Sequence, residues 1–148
     1  MNTEIQMRGF KILEGYENFG ISLPKRKTAF SAGYDLEAAE DVLVTGKKIS
    51  IVPTGLKAFM LPDEVLLIYI RSSLAVKHNL ILANSVGVID ADYQDHILLP
   101  MTSLGEDFQI KKGMRIAQGI FQKYFVVDED KIGIGDKRSG RFGSTGEF

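Results

Sequence analysis

A single β-rich domain with one short helix is what this sequence predicts, and two observations carry that reading. The apolar segments are short and rich in β-branched residues, as at IVPTGLKAFM (51–60), EVLLIYI (64–70) and HILLPM (96–101). Turn residues interrupt them about every ten positions, a spacing that suits hairpins better than helices. The turns are Thr45-Gly46, Leu61-Pro62-Asp63, Leu104-Gly105-Glu106-Asp107 and Lys112-Gly113, each built from residues that close tight loops. In KISIVPTG, Ile49 and Ile51 share one face while Lys48 and Ser50 point the other way, the period-two pattern of a half-buried strand. Pro53 is expected to end that strand or to lie at an edge, because it cannot donate to a ladder. The helix is expected at Ser72-Ser73-Leu74-Ala75-Val76-Lys77-His78, about two turns with a hydroxyl placed to cap the first.

Length and composition narrow the function. The chain has 148 residues, 18 Lys plus Arg against 19 Asp plus Glu, and no cysteine. That length suits one domain that buries roughly 68–70% of its unfolded surface without staples. Disulfides and thiolate metal sites are excluded, and the absence of cysteine fits a reducing, cytoplasmic setting. The longest apolar run, residues 65–70, is far short of the roughly 20 residues a membrane helix needs, and MNTEIQMRGF carries no export signal. A net charge of −1 argues against a broad surface for duplex nucleic acid, whose binding is driven by phosphate neutralisation. It leaves room for a pocket that takes a few phosphates.

The organisation changes near the end. Residues 1–130 read as the β domain. Residues 131–148, KIGIGDKRSGRFGSTGEF, hold five glycines and four basic residues with little to bury, and read as a flexible arm.

Several constellations bear on chemistry. His78 and His96 are too far apart for a local ligand pair and no HExxH spacing occurs, so each is expected as a polar surface or helix-end residue. RSSLA has no glycine elbow for a serine nucleophile. Phosphate binding has better support: Arg71-Ser72-Ser73 follows an apolar strand and opens the helix, where backbone N–H groups, two hydroxyls and a guanidinium can converge on an anion. Alone, the same segment also reads as a helix cap beside a solvated arginine. In GVIDADY, the alternation puts Asp90 and Asp92 on one strand face, where Asp90 could polarise a water and Tyr93 offers a ring to a sugar or base. Alone, this pair equally reads as a solvated turn. In the arm, Lys137, Arg138 and Arg141 lie among glycines around Phe142, a set of cations for phosphates and a ring for a base that reads as a lid. A disordered terminus is the commoner fate of such a composition.

Five segments, in order, resemble the trimeric all-β deoxyuridine triphosphatases. They are Ala32-Gly33-Tyr34-Asp35-Leu36, Arg71-Ser72-Ser73-Leu74, Asn84 with Gly87-Val88-Ile89-Asp90-Ala91-Asp92-Tyr93, Arg115-Ile116-Ala117-Gln118, and Phe142-Gly143-Ser144-Thr145-Gly146. They span residues 32–146, nearly the whole chain. The resemblance implies an all-β, distorted jelly-roll subunit in a homotrimer. It implies sites made by the first, second and fourth segments of one subunit, the third of a neighbour and the tail of the remaining one. It also implies an activity, hydrolysis of dUTP to dUMP and pyrophosphate, which lowers dUTP and supplies dUMP for thymidylate synthesis.

Carried over by position, the resemblance implies that Asp35 helps to hold hydrated Mg2+ through water, and that Arg71, Ser72, Ser73 and Gln118 contact phosphates. Asn84 and the backbone of the hairpin from Gly87 to Ile97, with Gly87, Val88 and Ile89 at its start, would read uracil. Tyr93 would stack under the deoxyribose and exclude a 2′-hydroxyl, and Asp90 would activate the attacking water. Phe142, with Gly143 and Ser144, would cover the base while Arg138 reaches the terminal phosphate. The sequence departs from the family pattern at Ile70, where a proline is common, and at Asp95-His96, where Gly-Glu is common. It departs again at Arg141, usually glycine, and at Lys137, which stands where the arm's arginine usually lies. Other readings stay open at this point: a dCTP deaminase of the same fold, a nucleotide-gated binder of a regulatory protein, and a β-sandwich module for sugar or peptide.

Overall fold

The structure is a computed structural model that describes residues 4–130 and Phe142. Among them are eleven strands and one helix: β1 (Gly9–Ile12), β2 (Tyr34–Glu37), β3 (Val42–Val44), β4 (Ser50–Pro53), β5 (Leu56–Phe59), β6 (Glu64–Ile70), α1 (Ser72–His78), β7 (Leu80–Leu82), β8 (Gly87–Ile89), β9 (Leu98–Ser103), β10 (Phe108–Ile110) and β11 (Arg115–Lys123). The arm expected over 131–148 lies, apart from Phe142, outside the described residues.

The strands form a four-stranded sheet in the order β2-β11-β6-β8, a three-stranded sheet β4-β9-β7, and the pairs β1-β5 and β10-β3. Every pairing is antiparallel, and the whole is a distorted jelly roll. One buried cluster draws Leu36, Leu66, Ile68 and Ile116 from the larger sheet and Val52, Leu80, Leu99 and Met101 from the smaller. Each such aliphatic side chain contributes about 1.5–3 kcal/mol by leaving water. At the head of β6, the Arg8 Nε donates to both Glu64 carboxylate oxygens at 3.0 and 2.9 Å. This hydrogen bond outweighs desolvation and holds the Glu64 carboxyl below the usual carboxylate range.

Most of the expected elements stand where the pattern puts them. The segment 64–70 is β6, the helix is α1, and β4 ends at Pro53 on the edge of its sheet. The four turns fall between strands. Two local expectations are corrected. In β4 the alternation is as read but faces the other way: Ile49 and Ile51 are 56% and 42% exposed, whereas Ser50 and Val52 point inward. Ser50 tolerates that position because its hydroxyl donates to the Leu43 carbonyl at 3.3 Å, which satisfies the buried oxygen.

Neither serine caps α1. The cap residue is Arg71, in extended conformation, with no side-chain cap bond; its carbonyl accepts from the N–H groups of Leu74 and Ala75, both at 3.1 Å. Leu74 anchors the helix in the core, and Asn79 ends it in the left-handed region at φ 56°, a conformation Asn tolerates better than most residues. Lys77 and His78 in the last turn complement the carbonyl end of the helix dipole. His78 is thus an exposed helix-end residue as expected, its ring 4.4 Å from that of Phe108.

Candidate active site

The cleft that gathers the expected phosphate contacts is built where three strands of the larger sheet meet α1. Gln118 of β11 pairs directly with Asp35 of β2 and, on its other side, with Tyr69 of β6. Cross-strand partners share a face, so Asp35 and Gln118 project together. Gly33 makes room for them: a Cβ there would lie 2.6 Å from the Gln118 Oε1 and 2.9 Å from its Cβ. That close approach is why the AGYDL segment needs glycine at this point.

A bulge places Arg71. Between Arg115 and Ala117 the β2–β11 register slips, leaving Ile116 without a partner on β2. The carbonyls on either side of the slip turn to Arg71, whose N–H donates to Ile116 at 3.4 Å and whose guanidinium donates to Arg115 at 3.0 Å. Bulges commonly re-aim side chains in this way. The Arg71 Nε also lies 3.9 Å from Asp35 and the Arg115 guanidinium 3.5 Å from it, so Asp35 sits between two cations.

Ser72 and Ser73, uncommitted to capping, line this cleft with Arg71, Asp35 and Gln118. Four of its expected phosphate contacts and its expected metal contact are therefore brought together. Two residues absent from that expectation complete the wall, Lys27 and Ser31. The run Lys25-Arg26-Lys27 was visible in the sequence, but what carries it here is the bridge between Lys25 and Asp35, with the Asp35 N–H donating to the Lys25 carbonyl at 3.0 Å. Arg26 serves the loop itself, donating to the carbonyls of Ala29 and Ser31. An open neighbouring hollow shares Lys27 and Asp35 with the cleft and adds Lys25 and Arg115. Cations thus outnumber carboxylates around Asp35, a field that favours a polyanion.

The second cavity lies at the other edge of the sheet. β8 pairs with β6, Gly87 opposite Ile68, and a cavity of about 120 Å³ opens beside it. Asn84, Gly87, Val88, Ile89 and Tyr93 line it, and Phe142 borders it while remaining 64% exposed. Its size is below the ~300–1,000 Å³ of sites that hold a whole drug-sized ligand and suits a single ring. The expected base readers and Tyr93 are therefore assembled, whereas the first cleft and this cavity share no lining residue. Phe142 here borders the cavity of its own subunit, where the resemblance implies the tail of another. Arg138, Gly143 and Ser144, with Lys137 and Arg141, lie outside the described residues.

Two further expectations change. Asp90 and Asp92 do not share a strand face, because β8 ends at Ile89 and the next residues turn. The Tyr93 N–H donates to the Asp90 carbonyl at 3.0 Å and closes that turn, leaving Asp90 exposed on it. His96 is not a surface residue: it is 4% exposed, and its Nε2 accepts the Gly55 N–H at 2.8 Å. Tyr93 is 8% exposed, and its hydroxyl donates to the His96 carbonyl at 2.5 Å.

Comparison with known proteins places the chain in a family. The family model described as dUTPase matches residues 20–146. The chain is 46% identical over 149 residues to the deoxyuridine 5′-triphosphate nucleotidohydrolase of Lactococcus lactis subsp. lactis, covering 96% of this chain and 99% of that protein. It is 49% identical over 137 residues to the protein of the same name from Rickettsia rickettsii, covering 88% of this chain and 92% of that one. The solved dUTPase of Streptococcus mutans superposes with a TM-score of 0.76 at 40% identity, covering 81% of this chain and 98% of that chain. Matches of that identity run through the strands that carry both cavities, and the chain belongs to the dUTPase family.

Proposed function

We propose that the protein is a dUTP diphosphatase, releasing pyrophosphate and dUMP by in-line attack of water on the α-phosphorus. Family membership supports the reading, and the single structural observation that carries it is the cleft in which Arg71, Ser72, Ser73 and Gln118 converge around Asp35. Charge builds on the leaving pyrophosphate as the bond to the α-phosphorus breaks. Arg71, whose fork is already oriented by the β11 bulge, then binds the transition state better than the ground state. The Ser72 and Ser73 hydroxyls and the Gln118 amide hold the chain of phosphates in line.

In the second cavity, Asn84 and the β8 backbone read the edge of uracil, and Phe142 covers it. Tyr93 underlies the sugar and leaves no space for a 2′-hydroxyl. Asp90 orients the attacking water and takes its proton. In the arm, Arg138 is assigned to the terminal phosphate and Gly143 and Ser144 to closure over the nucleotide, which excludes bulk water.

The donor set fits a magnesium ion that arrives with the nucleotide. Among the described residues no group of three or more His, Cys, Asp or Glu could hold a metal, and the Asp35 carboxylate already faces two guanidiniums. Asp35 would hold Mg2+ through its water shell, as this hard, reluctantly dehydrated cation prefers. The ion's contribution is to neutralise charge on the phosphates.

A nucleotide must engage the base cavity and the phosphate cleft at once, and within one subunit these share no wall. This supports a homotrimer in which each site takes its cleft from one subunit and its Asp90 hairpin from another. The expected result follows: Asp90→Asn and Arg71→Ala proteins, each strongly impaired alone, regain activity when unfolded and refolded together, because some mixed sites then hold both intact residues. No recovery on mixing would place each site within one chain. No helix among the described residues is long and apolar enough to cross a membrane, and we place the enzyme in the cytoplasm.

The direct test is pyrophosphate release from dUTP, UTP, dTTP and dCTP with magnesium. Turnover of dUTP alone is the expected outcome; an inert wild type would overturn the assignment.

A further inference from the structure

The segment between β8 and β9 is held by one residue whose side chain the reading above leaves without a role. His96 commits three polar groups. Its N–H donates to the Asp95 carboxylate at 2.7 Å, its carbonyl accepts the Tyr93 hydroxyl at 2.5 Å, and its Nε2 accepts the Gly55 N–H at 2.8 Å. An Nε2 that accepts carries no proton, so the ring is the tautomer protonated at Nδ1. The ring also packs edge-on against Tyr16, centroids 4.9 Å apart.

The anchor it grips is rigid. Gly55 stands at φ +70° in the turn between β4 and β5, and a Cβ there would lie 2.0 Å from Ile21 and 2.9 Å from Tyr16. Glycine is therefore required on both conformational and spatial grounds. The same turn takes hold of the next residue as well: the Thr54 hydroxyl donates to the Ile97 carbonyl at 2.7 Å, and the Ile97 N–H donates to the Leu56 carbonyl at 2.8 Å. A path of hydrogen bonds thus runs from a fixed turn, through the imidazole and the His96 main chain, to the hydroxyl of the tyrosine that walls the base cavity.

We propose that His96 is a positioning residue for sugar selectivity: by accepting the Gly55 N–H it sets the carbonyl that holds the Tyr93 ring where a ribose would collide with it. The proposal rests on the reading of Tyr93 as the wall beneath the deoxyribose. Losing the acceptor leaves a buried donor unpaired and lets the His96 carbonyl, and with it the ring, drift. The ring then tolerates a 2′-hydroxyl that it would otherwise exclude.

The test compares kcat and KM for dUTP and for UTP in wild type, His96→Leu and His96→Gln. Glutamine keeps a neutral oxygen acceptor in reach of the Gly55 N–H, and leucine does not. In His96→Leu the dUTP to UTP ratio of kcat/KM should fall by about tenfold, the scale of one misplaced contact in a selective pocket. The dUTP kcat should stay within a factor of about two, because the groups at the α-phosphorus are untouched. His96→Gln should recover most of the ratio. An unchanged ratio in a folded His96→Leu protein, or a loss in His96→Gln as large as in the leucine variant, overturns the proposal. If His96→Leu does not fold, Tyr93→Phe decides, since it removes only the hydroxyl end of the path: the ratio should fall, and an unchanged ratio overturns the proposal. Failure of the hydrolase reading is separate, because wild type would then release no pyrophosphate from dUTP.

Discussion

Replacing Asp90 by asparagine is expected to leave dUTP binding in place and to lower kcat about 10²–10⁴-fold, the range for loss of a positioned general base. The structure explains why the two effects should separate. The turn that carries Asp90 is closed through its main-chain carbonyl, which accepts the Tyr93 N–H at 3.0 Å, so the substitution leaves that bond in place. Asparagine also keeps the outline of the side chain while removing its capacity to take a proton from water. Pyrophosphate release measured beside calorimetric titration with dUTP and magnesium checks both halves. A loss of affinity as large as the loss of rate would make Asp90 a substrate contact and not the base.

Arg71 should be the most sensitive residue of the phosphate cleft. Arg71→Lys is expected to cost about 10²–10³ in kcat/KM, comparable to removing a donor aimed at developing charge. Lysine keeps the charge but is a point donor on a flexible stem, whereas the arginine fork donates to the Arg115 carbonyl while presenting its Nε toward Asp35. Arg71→Ala should lose activity further and also lower Tm, because the Arg115 carbonyl loses its partner. Tm and kcat/KM recorded on both variants separate the two roles: the lysine variant should retain most of its Tm. Equal activity in wild type and Arg71→Lys would reduce the residue to a source of charge.

The parts of the fold legible in the sequence were those set by local chemistry. β6 and α1 appear at their written positions because an apolar run ended by Arg-Ser-Ser changes period from strand to helix there. What local pattern leaves open is direction. Alternation in KISIVPTG separates two faces, yet which one turns inward depends on the β9 ladder and on a carbonyl at Leu43 able to receive the Ser50 hydroxyl. The period-two reading of GVIDADY ran past Ile89 because nothing local marks where a ladder loses its partner; β6 pairs with β8 only through Gly87, Val88 and Ile89.

The site divides along the same line. The residues joined by sequence motifs, Asp35, Arg71, Ser72, Ser73 and Gln118, do meet, and the motif carried them where spacing could not. Lys27 escapes the sequence reading because its place depends on Lys25 bridging to Asp35 of β2, ten positions further along the chain. From sequence alone His96 reads as a surface residue, because its partner, the Gly55 N–H, lies 41 residues away. A buried imidazole that serves one backbone donor leaves no signature in composition or spacing.

The slipped register at Ile116 also supplies a built-in reporter of occupancy. The Arg71 amide is tied to the sheet by a long bond, 3.4 Å, and belongs to the same residue whose side chain lines the cleft. Anything that holds the side chain in the cleft must also hold this amide against the slipped strand, so ligand binding and local opening of the sheet are linked. Solvent exchange at this one N–H should therefore slow as the cleft fills.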